Sequence, residues 1–283
     1  MRVLVTGGGG LLAHAVVPVL AAAGHEVRSL GHAELDVTNA QALTDAVESL
    51  RPDWVFHLAA FTRVDDCERE PERAHQVNAI GARHAALAAA RAGAALLAIS
   101  TDYVFDGSAS APYREESAAA PLNVYGASKW AGEQAIREAG GRHLIVRTAW
   151  LFGAGGGNFV DTILKQARTE QELSIVDDQR GSPTYTPDLA EGLARLAGSA
   201  ENGTYHVVNG GDASWFELAE AAVTEAGLPV RMKRVSTASL GRPARRPAYS
   251  VLDASKFTRS TGWPLPHWRD AVARHVRRAK EAA

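Results

Sequence analysis

Cysteine is almost absent from this sequence, in which Cys67 is the only thiol among 283 residues. It cannot form a disulfide within the chain, and its acidic neighbours raise the pKa of a thiol rather than activate it. No stretch of about 18 apolar residues is present to cross a bilayer, and the first residues run into glycines without a leader-like segment. The formal net charge of −2 gives no attraction for nucleic acid or an anionic membrane. We therefore expect a cytoplasmic protein that binds neither nucleic acid nor membranes.

The first half of the sequence alternates short apolar strands with amphipathic helices. Strands are expected at 3–5, 27–30, 54–59, 96–100 and 144–147, and helices at 11–23, 40–50, 72–91 and 123–139. Because the strands are continuous apolar runs, both faces of the sheet are covered, which is typical of a Rossmann-type doubly wound parallel α/β sheet. The second half is less regular, with helices near 158–168, 187–196, 214–226 and 268–281. We expect a dinucleotide-binding domain over 1–150 and a smaller, mainly substrate-binding α/β lobe over 151–283, parts of which return to the first domain.

A run of glycines lies between the first strand and the first helix, at Thr6-Gly7-Gly8-Gly9-Gly10-Leu11-Leu12-Ala13. In that context Gly7 permits a tight turn, and Gly10 lets the backbone approach a pyrophosphate. The helix that follows supplies free N–H groups and the positive end of its dipole. The segment predicts a dinucleotide-binding loop, the alternative being a glycine-rich turn without a ligand.

The end of the second strand lacks the carboxylate that NAD-specific sites often use to bind the ribose 2′-hydroxyl. Arg28 and His32 stand there instead and can accommodate a 2′-phosphate, so we expect NADPH, with NADH still open. Asp36 is placed to reach the adenine amino group. The alternative is that it caps the next helix, a role that Thr38 or Asn39 would serve equally well.

Tyr125 and Lys129 stand four residues apart, on one face of an expected helix. A free phenol has a pKa of about 10, and a cation within about 4–6 Å favours the phenolate and lowers that value. The same ammonium can hold a nicotinamide ribose. Thr101 follows the fourth strand, where open α/β sheets bind ligands, and its hydroxyl can bind a carbonyl oxygen. Together these residues predict a reductase in which Tyr125 donates a proton; the alternatives are a surface helix pair and a simple turn residue.

Several longer segments resemble a known family. They read STDYVFDG at 100–107, RTAWLFG at 147–153, NFV at 158–160, DQRGSPTY at 178–185, GTYH at 203–206 and RPAYSVLD at 246–253. In this order and spacing the chain resembles the dTDP-4-dehydrorhamnose reductase family, within the extended short-chain dehydrogenase/reductase superfamily, along essentially its whole length. The resemblance implies reduction of the 4-keto group of dTDP-4-dehydro-6-deoxy-L-mannose to dTDP-L-rhamnose, with a hydride from the nicotinamide and a proton from Tyr125.

The resemblance also implies roles for individual residues. Lys129 and Thr101 would support Tyr125 in catalysis, and Thr101, Asp102 and Trp150 would surround the sugar. Positions expected to line the cofactor are Gly7, Gly10, Leu11, Leu12, Asp36, Val37, Ala59, Ala60, Phe61, Tyr125 and Lys129, with Asn78 near the adenosine half. Arg180 and Arg246 are candidates for the substrate pyrophosphate on charge alone.

One departure from the family concerns metal. Some members bridge a dimer with Mg²⁺ through glutamates, one of them just after the glycine loop, where this chain has Ala13, His14 and Ala15. The ten histidines show no ligand spacing either. We expect neither a metal site nor a Mg²⁺-bridged dimer, while a homodimer as such stays open.

Three other functions share parts of this pattern. Nucleotide-sugar 4,6-dehydratases carry Asp and Glu after the threonine, whereas Tyr103 follows Asp102 here, so dehydration is disfavoured. A reductase for another dTDP-4-keto-6-deoxy sugar stays open, because sugar selection depends on a few loop side chains. A non-catalytic NADP-binding subunit, like the regulatory subunit of methionine adenosyltransferase, is disfavoured by the intact Thr101, Tyr125 and Lys129.

Overall fold

A computed structural model describes residues 1–281 of the chain. Its strands are β1 (Arg2–Thr6), β2 (Glu26–Leu30), β3 (Trp54–His57), β4 (Ala95–Thr101), β5 (His143–Thr148), β6 (Leu151–Phe152), β7 (Glu172–Val176), β8 (Arg180–Gly181), β9 (Thr184–Tyr185), β10 (Gly203–His206), β11 (Ala213–Ser214) and β12 (Arg231–Val235). Its α-helices are α1 (Ala13–Ala22), α2 (Ala40–Leu50), α3 (Val64–Arg69), α4 (Pro71–His75), α5 (Gly81–Arg91), α6 (Val124–Ala139), α7 (Phe159–Gln166), α8 (Thr186–Ser199), α9 (Trp215–Ala226), α10 (Ser255–Thr261) and α11 (Trp268–Glu281). No helix in this part of the chain is both long and apolar enough to cross a membrane.

Six strands form one parallel sheet in the order β10-β5-β4-β3-β1-β2. Helices cover both faces of this sheet, which confirms the expected doubly wound α/β fold. The chain moves outward from β1 in one direction to β2 and in the other to β3, β4 and β5. The point where the direction reverses lies between β1 and β3, and the crevice at the carboxyl ends of such strands is where these folds bind ligands.

Two hydrophobic cores flank the sheet. On one face, Val5 and Phe56 pack with residues of α1 and α8. On the other face, Leu4 and Val55 pack with residues of α2, α5 and α6. Since α8 and β10 lie beyond residue 185, the C-terminal half of the chain supplies one cover helix and one edge strand to the sheet layer.

The other C-terminal elements form a smaller lobe beside the sheet. Its core includes residues of α7, α9 and α11, with Leu218 and Trp268 fully buried among them. Helix α9 begins with a capping box, in which the Ser214 hydroxyl accepts from Glu217 N at 3.1 Å and the Glu217 carboxylate accepts from Ser214 N at 2.8 Å. The cap fixes Trp215 as the first residue of the helix.

Two elements differ from the sequence expectation. The third strand ends at His57 rather than at residue 59, because the chain turns there to pass close to Gly7. The helix expected over 72–91 is interrupted by a π-helical turn at Gln76–Ile80. Such turns are rare and occur frequently at functional sites.

Candidate active site

A cavity of about 480 Å³ opens between the sheet and the smaller lobe. The sequence-predicted residues in its wall are Gly7, Gly10, Leu11, Leu12, Ala60, Thr101, Asp102, Tyr125, Lys129, Trp150 and Arg246. The cavity lies at the carboxyl ends of β1, β4 and β5, beside the point where the strand order reverses. The structure therefore brings the glycine loop and the three candidate catalytic residues into one cavity.

The glycine loop starts at Gly7, whose φ of +72° lies in the left-handed region. A Cβ on this residue would lie 2.6 Å from the backbone nitrogen of Ala59, so only glycine fits. Gly10 N donates to Gly7 O at 2.9 Å and closes the turn. A Cβ on Gly9 would meet no atom within 4 Å, and the N-terminus of α1 has no side-chain cap. This open, uncapped loop fits a dinucleotide pyrophosphate.

A second depression, of about 380 Å³, adjoins the cavity at the glycine loop. The predicted cofactor residues in its wall are Gly7, Gly10, Asp36, Val37, Ala59, Ala60 and Phe61. The Asp36 carboxylate accepts from Thr38 N at 2.9 Å and from Thr38 Oγ1 at 2.8 Å, and these bonds lower its pKa. Helix α2 is capped by Asn39, so Asp36 is not the N-cap residue and stays in the wall of the depression.

The cations at this second depression differ from those expected. His32 lines it, whereas Arg28 does not and lies 3.9 Å from Glu34 on the surface. Arg73 lines it as well, with its guanidinium 4.8 Å from the ring centroid of Phe61. No local pattern predicts Arg73, because α4 is brought to this depression only by the tertiary fold.

Asn78 lies behind the depression instead of in its wall. It is buried, and its Oδ1 accepts from Phe61 N at 2.8 Å. Its amide donates to Phe61 O at 3.0 Å and to Ser128 Oγ at 2.9 Å. Asn78 thus lies one layer behind the depression, where its side chain links Phe61 to Ser128 on α6.

Helix α6 directs Tyr125 towards the cavity. Asn123 caps the helix by accepting from Gly126 N at 2.8 Å. Burial raises the pKa of the Tyr125 phenol above its ordinary value, while a hydrogen bond with Thr101 acts in the opposite direction. Burial therefore sets the net direction of this pKa, and a net lowering by Lys129, as expected from the sequence, is not what the structure gives.

Lys129 is buried one turn further along α6, and burial lowers the pKa of its ammonium to about 8 while Glu133 opposes the shift. Glu133 is also buried. Arg147 donates to both of its oxygens at 2.8 Å, and Ser100 donates to one of them at 2.6 Å. Although burial acts in the other direction, these bonds and one from Arg137 lower the pKa of Glu133, so a fixed negative charge stands behind Lys129.

Thr101 and Asp102 form the part of the wall beside Tyr125. Asp102 is buried, with Oδ1 accepting from Thr101 Oγ1 at 3.0 Å and Oδ2 from Ser250 Oγ at 2.6 Å. Burial raises the pKa of Asp102 to about 6 in spite of these hydrogen bonds. The Thr101 hydroxyl also accepts from Tyr103 N at 3.2 Å, so its position is fixed from two sides.

The two arginines proposed for the pyrophosphate lie in different places. Arg246 is in the cavity wall, nearly buried, with Nη2 3.0 Å from the carboxylate of Asp65. Arg180 is outside the wall and forms ion pairs with Asp212 and Glu217. The structure therefore brings Arg246 to the candidate site and does not bring Arg180 there.

Comparison with known proteins shows which family this chain belongs to. The family model described as RmlD substrate binding domain matches residues 1–281. The dTDP-4-dehydrorhamnose reductase of Streptomyces griseus is 45% identical over 278 residues, covering 96% of this chain and 91% of that protein. The spore coat polysaccharide biosynthesis protein SpsK of Bacillus subtilis is 43% identical over 281 residues, covering 99% of each. The crystal structure of dTDP-4-dehydrorhamnose reductase from Bacillus anthracis in complex with NADP has a TM-score of 0.95 and 40% identity, covering 98% of this chain and 99% of that one. This chain belongs to the dTDP-4-dehydrorhamnose reductase family. The resemblance inferred from the sequence motifs is confirmed.

Some members of the dTDP-4-dehydrorhamnose reductase family bridge a dimer with Mg²⁺ through glutamates, one of which follows the glycine loop. This chain has no glutamate in that stretch. Ala15 carries no oxygen in its side chain, and Nδ1 of His14 lies 2.9 Å from Gly10 O. Within residues 1–281 no group of three or more His, Cys, Asp or Glu side chains is arranged to hold a metal ion. The residues after the glycine loop therefore do not fit such a bridge.

The main cavity of this dTDP-4-dehydrorhamnose reductase family member is also lined by residues that were not predicted as site residues, among them Phe159, Trp215 and Arg242. Phe159 and Trp215 are the first residues of α7 and α9, directly after the caps Asn158 and Ser214. Capping signals therefore marked both positions, although the sequence does not show that these helices start at the cavity. Arg242 lies in an exposed loop and has no comparable signal.

Proposed function

We propose that this protein reduces the 4-keto group of dTDP-4-dehydro-6-deoxy-L-mannose to dTDP-L-rhamnose with NADPH. The observation that carries the proposal is the convergence of Thr101, Tyr125 and Lys129 in one cavity beside a loop that fits a dinucleotide pyrophosphate. Relatives named dTDP-4-dehydrorhamnose reductase, one of them in complex with NADP, support the same sugar and coenzyme. NADH is the second coenzyme to compare.

The residues divide the chemistry among them. NADPH held by the glycine loop would supply the hydride for carbon C4 of the sugar. Tyr125 gives its phenolic proton to the carbonyl oxygen, so that C=O becomes CH–OH and the phenol becomes a phenolate. The raised pKa of Tyr125 keeps the phenol protonated at neutral pH, and the Lys129 ammonium stabilises the phenolate. Thr101 binds the same carbonyl oxygen, giving up its hydrogen bond to Asp102 to do so.

The binding residues are assigned by their place in the two cavities. The glycine loop (Gly7 to Leu12) would hold the pyrophosphate of the cofactor, and the wall formed by Asp36, Val37 and residues 59–61 would hold the adenosine half. Asp102 and Trp150 would contact the sugar, and Arg246 the substrate pyrophosphate. A cofactor domain over 1–150 with a substrate lobe after it, a cytoplasmic location and a homodimer stay predictions.

One assay tests the proposal. Oxidation of NADPH and NADH is followed with dTDP-4-dehydro-6-deoxy-L-mannose, comparing the wild type with Tyr125→Phe. We expect the variant to lose about 100-fold or more in kcat while it still binds NADPH, because only the proton donor is removed. Tyr249→Phe, outside the cavity wall, is the matched control and should retain full turnover. A Tyr125→Phe variant with wild-type turnover contradicts the assigned proton donor.

The second candidate is a reductase for a different dTDP-4-keto-6-deoxy sugar. It is favoured by the Bacillus subtilis relative, whose name refers to spore coat polysaccharide and not to rhamnose. Turnover of a panel of dTDP-4-keto-6-deoxy sugars ranks the two. NADPH binding without turnover of any of them would favour a non-catalytic NADP-binding subunit.

A further inference from the structure

The side chain of Thr148 ends in a buried hydroxyl without a partner. Thr148 is the last residue of β5 and is 4% exposed. Its Oγ1 makes no hydrogen bond to any group within residues 1–281, and the residue lies in the wall of the main cavity. A buried hydroxyl that makes no hydrogen bond lowers the stability of the folded state. Such a group in a cavity wall therefore points to a ligand that binds it.

The register of the sheet shows which way this side chain points. Strand β4 pairs with β5 so that Ile99 lies opposite Val146 and Thr101 lies opposite Thr148. Since side chains alternate along a strand, Thr148 points to the same face as Val146, which packs in the core with α1 and α8. The hydroxyl is therefore on the side of the sheet that α1 covers, beside the helix that follows the glycine loop.

The cavity wall on this side of the sheet is apolar. Leu12, Ile99 and Leu151 line the cavity, and all three pack with the core that contains α1 and α8. A sugar would place several hydroxyl groups against these side chains without hydrogen-bond partners, which is unfavourable. A flat ring with one polar substituent fits an apolar wall that carries one hydroxyl. The nicotinamide ring, with its single carboxamide, is such a group.

The order of the strands places the nicotinamide at this end of the cavity. Asp36, in the wall assigned to the adenosine half, follows β2, and the glycine loop follows β1. The other half of an extended dinucleotide continues in the opposite direction, across the ends of β3 and β4 towards β5. Thymine is also a flat ring, but it lies at the far end of the substrate from the reacting carbon, whereas Thr148 is next to Thr101.

We propose that Thr148 is a cofactor-binding residue whose hydroxyl forms a hydrogen bond with the carboxamide of the nicotinamide. A threonine hydroxyl can donate to the carboxamide oxygen or accept from its NH₂ group. By holding the carboxamide, Thr148 would fix the rotation of the ring relative to Thr101 and Tyr125, between which the keto group binds. The inference rests on the coenzyme of the proposed function and not on its sugar.

Thr148→Val tests the proposal, because it removes the hydroxyl and keeps the shape of the side chain. We expect the Kd of NADPH to rise about 10-fold, since the carboxamide is left without its partner. The Kd of 2′-phospho-ADP-ribose, which is NADPH without its nicotinamide, should equal that of the wild type. Thr148→Ser keeps a hydroxyl and should retain the affinity for NADPH. Isothermal titration calorimetry measures each Kd.

Thr186→Val is the matched control. Thr186 is also buried, its Oγ1 has no partner in the described part of the chain, and it lines a separate cavity of about 600 Å³. Each Val substitution removes a buried hydroxyl that makes no hydrogen bond, so the Tm of either variant without ligand should equal or exceed that of the wild type. Only Thr148→Val should weaken the binding of NADPH.

Four results would overturn the proposal. They are an unchanged Kd of NADPH in Thr148→Val, an equal loss of affinity for NADPH and 2′-phospho-ADP-ribose, a loss of affinity for dTDP-L-rhamnose in place of NADPH, and a lowered Tm without ligand. The second would assign the hydroxyl to another part of the coenzyme, the third to the sugar and the fourth to the fold. Failure of the proposed function is a different result: the wild type would turn over no dTDP-4-keto sugar, while the NADPH titrations would still decide the role of Thr148.

Discussion

Lys129 carries the charge on which the proposed proton transfer depends. Burial lowers the pKa of its ammonium to about 8, and Glu133 opposes the shift. Because only the charged form stabilises the Tyr125 phenolate, kcat/KM should be constant at neutral pH and fall as the pH rises through that value. The neighbouring His57 does not titrate there, since burial lowers its pKa to about 3.

The measurement is a profile of kcat/KM from neutral to alkaline pH, which reports the ionisations of the free enzyme. Circular dichroism at each pH controls for unfolding. The apparent pKa of the alkaline limb should follow Lys129 and not Tyr125, whose pKa burial raises well above this range. A profile that stays flat far above a pH of about 8, with the protein still folded, would contradict the role given to the ammonium.

At the scale of single residues, the sequence predicted which catalytic side chains meet in the cavity better than it predicted their pKa values. Tyr125 and Lys129 share a helix face, and Thr101 ends a strand, so local spacing was enough to bring them together. Arg180 and Arg246 looked alike as charges in the sequence. Their difference arises from partners far along the chain, since Asp212 satisfies Arg180 away from the cavity, and no local pattern shows that.

At the scale of elements, Glu133 joins α6 to the sheet. It lies on α6, and its carboxylate binds Ser100 on β4 and Arg147 on β5. Glu133→Gln should lower the free energy of unfolding by about 3–5 kcal/mol, because it leaves the buried Arg147 without its counter-charge. Glu138→Gln, exposed on the same helix, is the control and should change it by about 0.5 kcal/mol or less.

Urea unfolding at neutral pH measures both variants. The folded-state pKa of Glu133 is lowered, so its contribution is present above the unfolded-state pKa and is lost as the pH falls through the folded-state value. The difference between wild type and Glu133→Gln should therefore shrink in acid. Equal stability of the two Gln variants at neutral pH would show that the cluster contributes nothing to the junction.

The segment between residues 72 and 91 contains a feature that the hydrophobic periodicity of the sequence does not predict. Its apolar pattern predicts one continuous helix, and the structure inserts a π-helical turn at Gln76–Ile80. The turn holds Asn78 where it binds both backbone groups of Phe61, in the wall of the second depression. Phe61 lies outside this helical segment, so the apolar period of the helix does not predict these hydrogen bonds.

At the scale of the whole molecule, the pattern of the first half predicted the sheet and its parallel direction. It could not predict that β10 joins β5 at the edge or that α8 covers the same face as α1. Those contacts are made by segments after residue 185. The sequence there does not show which strand pairs with the sheet or which helix packs on it. The cavity lies where the two parts of the chain meet, so both contribute to its wall.

Coenzyme binding at this junction should stabilise the whole fold. A ligand at 100 times its Kd adds about 2.7 kcal/mol, which raises the Tm of a chain of this size by roughly 5 °C. Arg73 and His32 are the cations in the wall of the second depression, beside Asp36. A 2′-phosphate carries negative charge that a 2′-hydroxyl lacks. Arg73→Gln should therefore reduce the increase in Tm given by NADPH and leave the smaller increase given by NADH.

Thermal unfolding with each coenzyme at equal concentration measures these increases in Tm. Arg69→Gln, on the neighbouring helix and outside the depression, is the control. Equal losses with NADPH and NADH would place Arg73 at a part that the two coenzymes share, and the selection of NADPH would then depend on other residues.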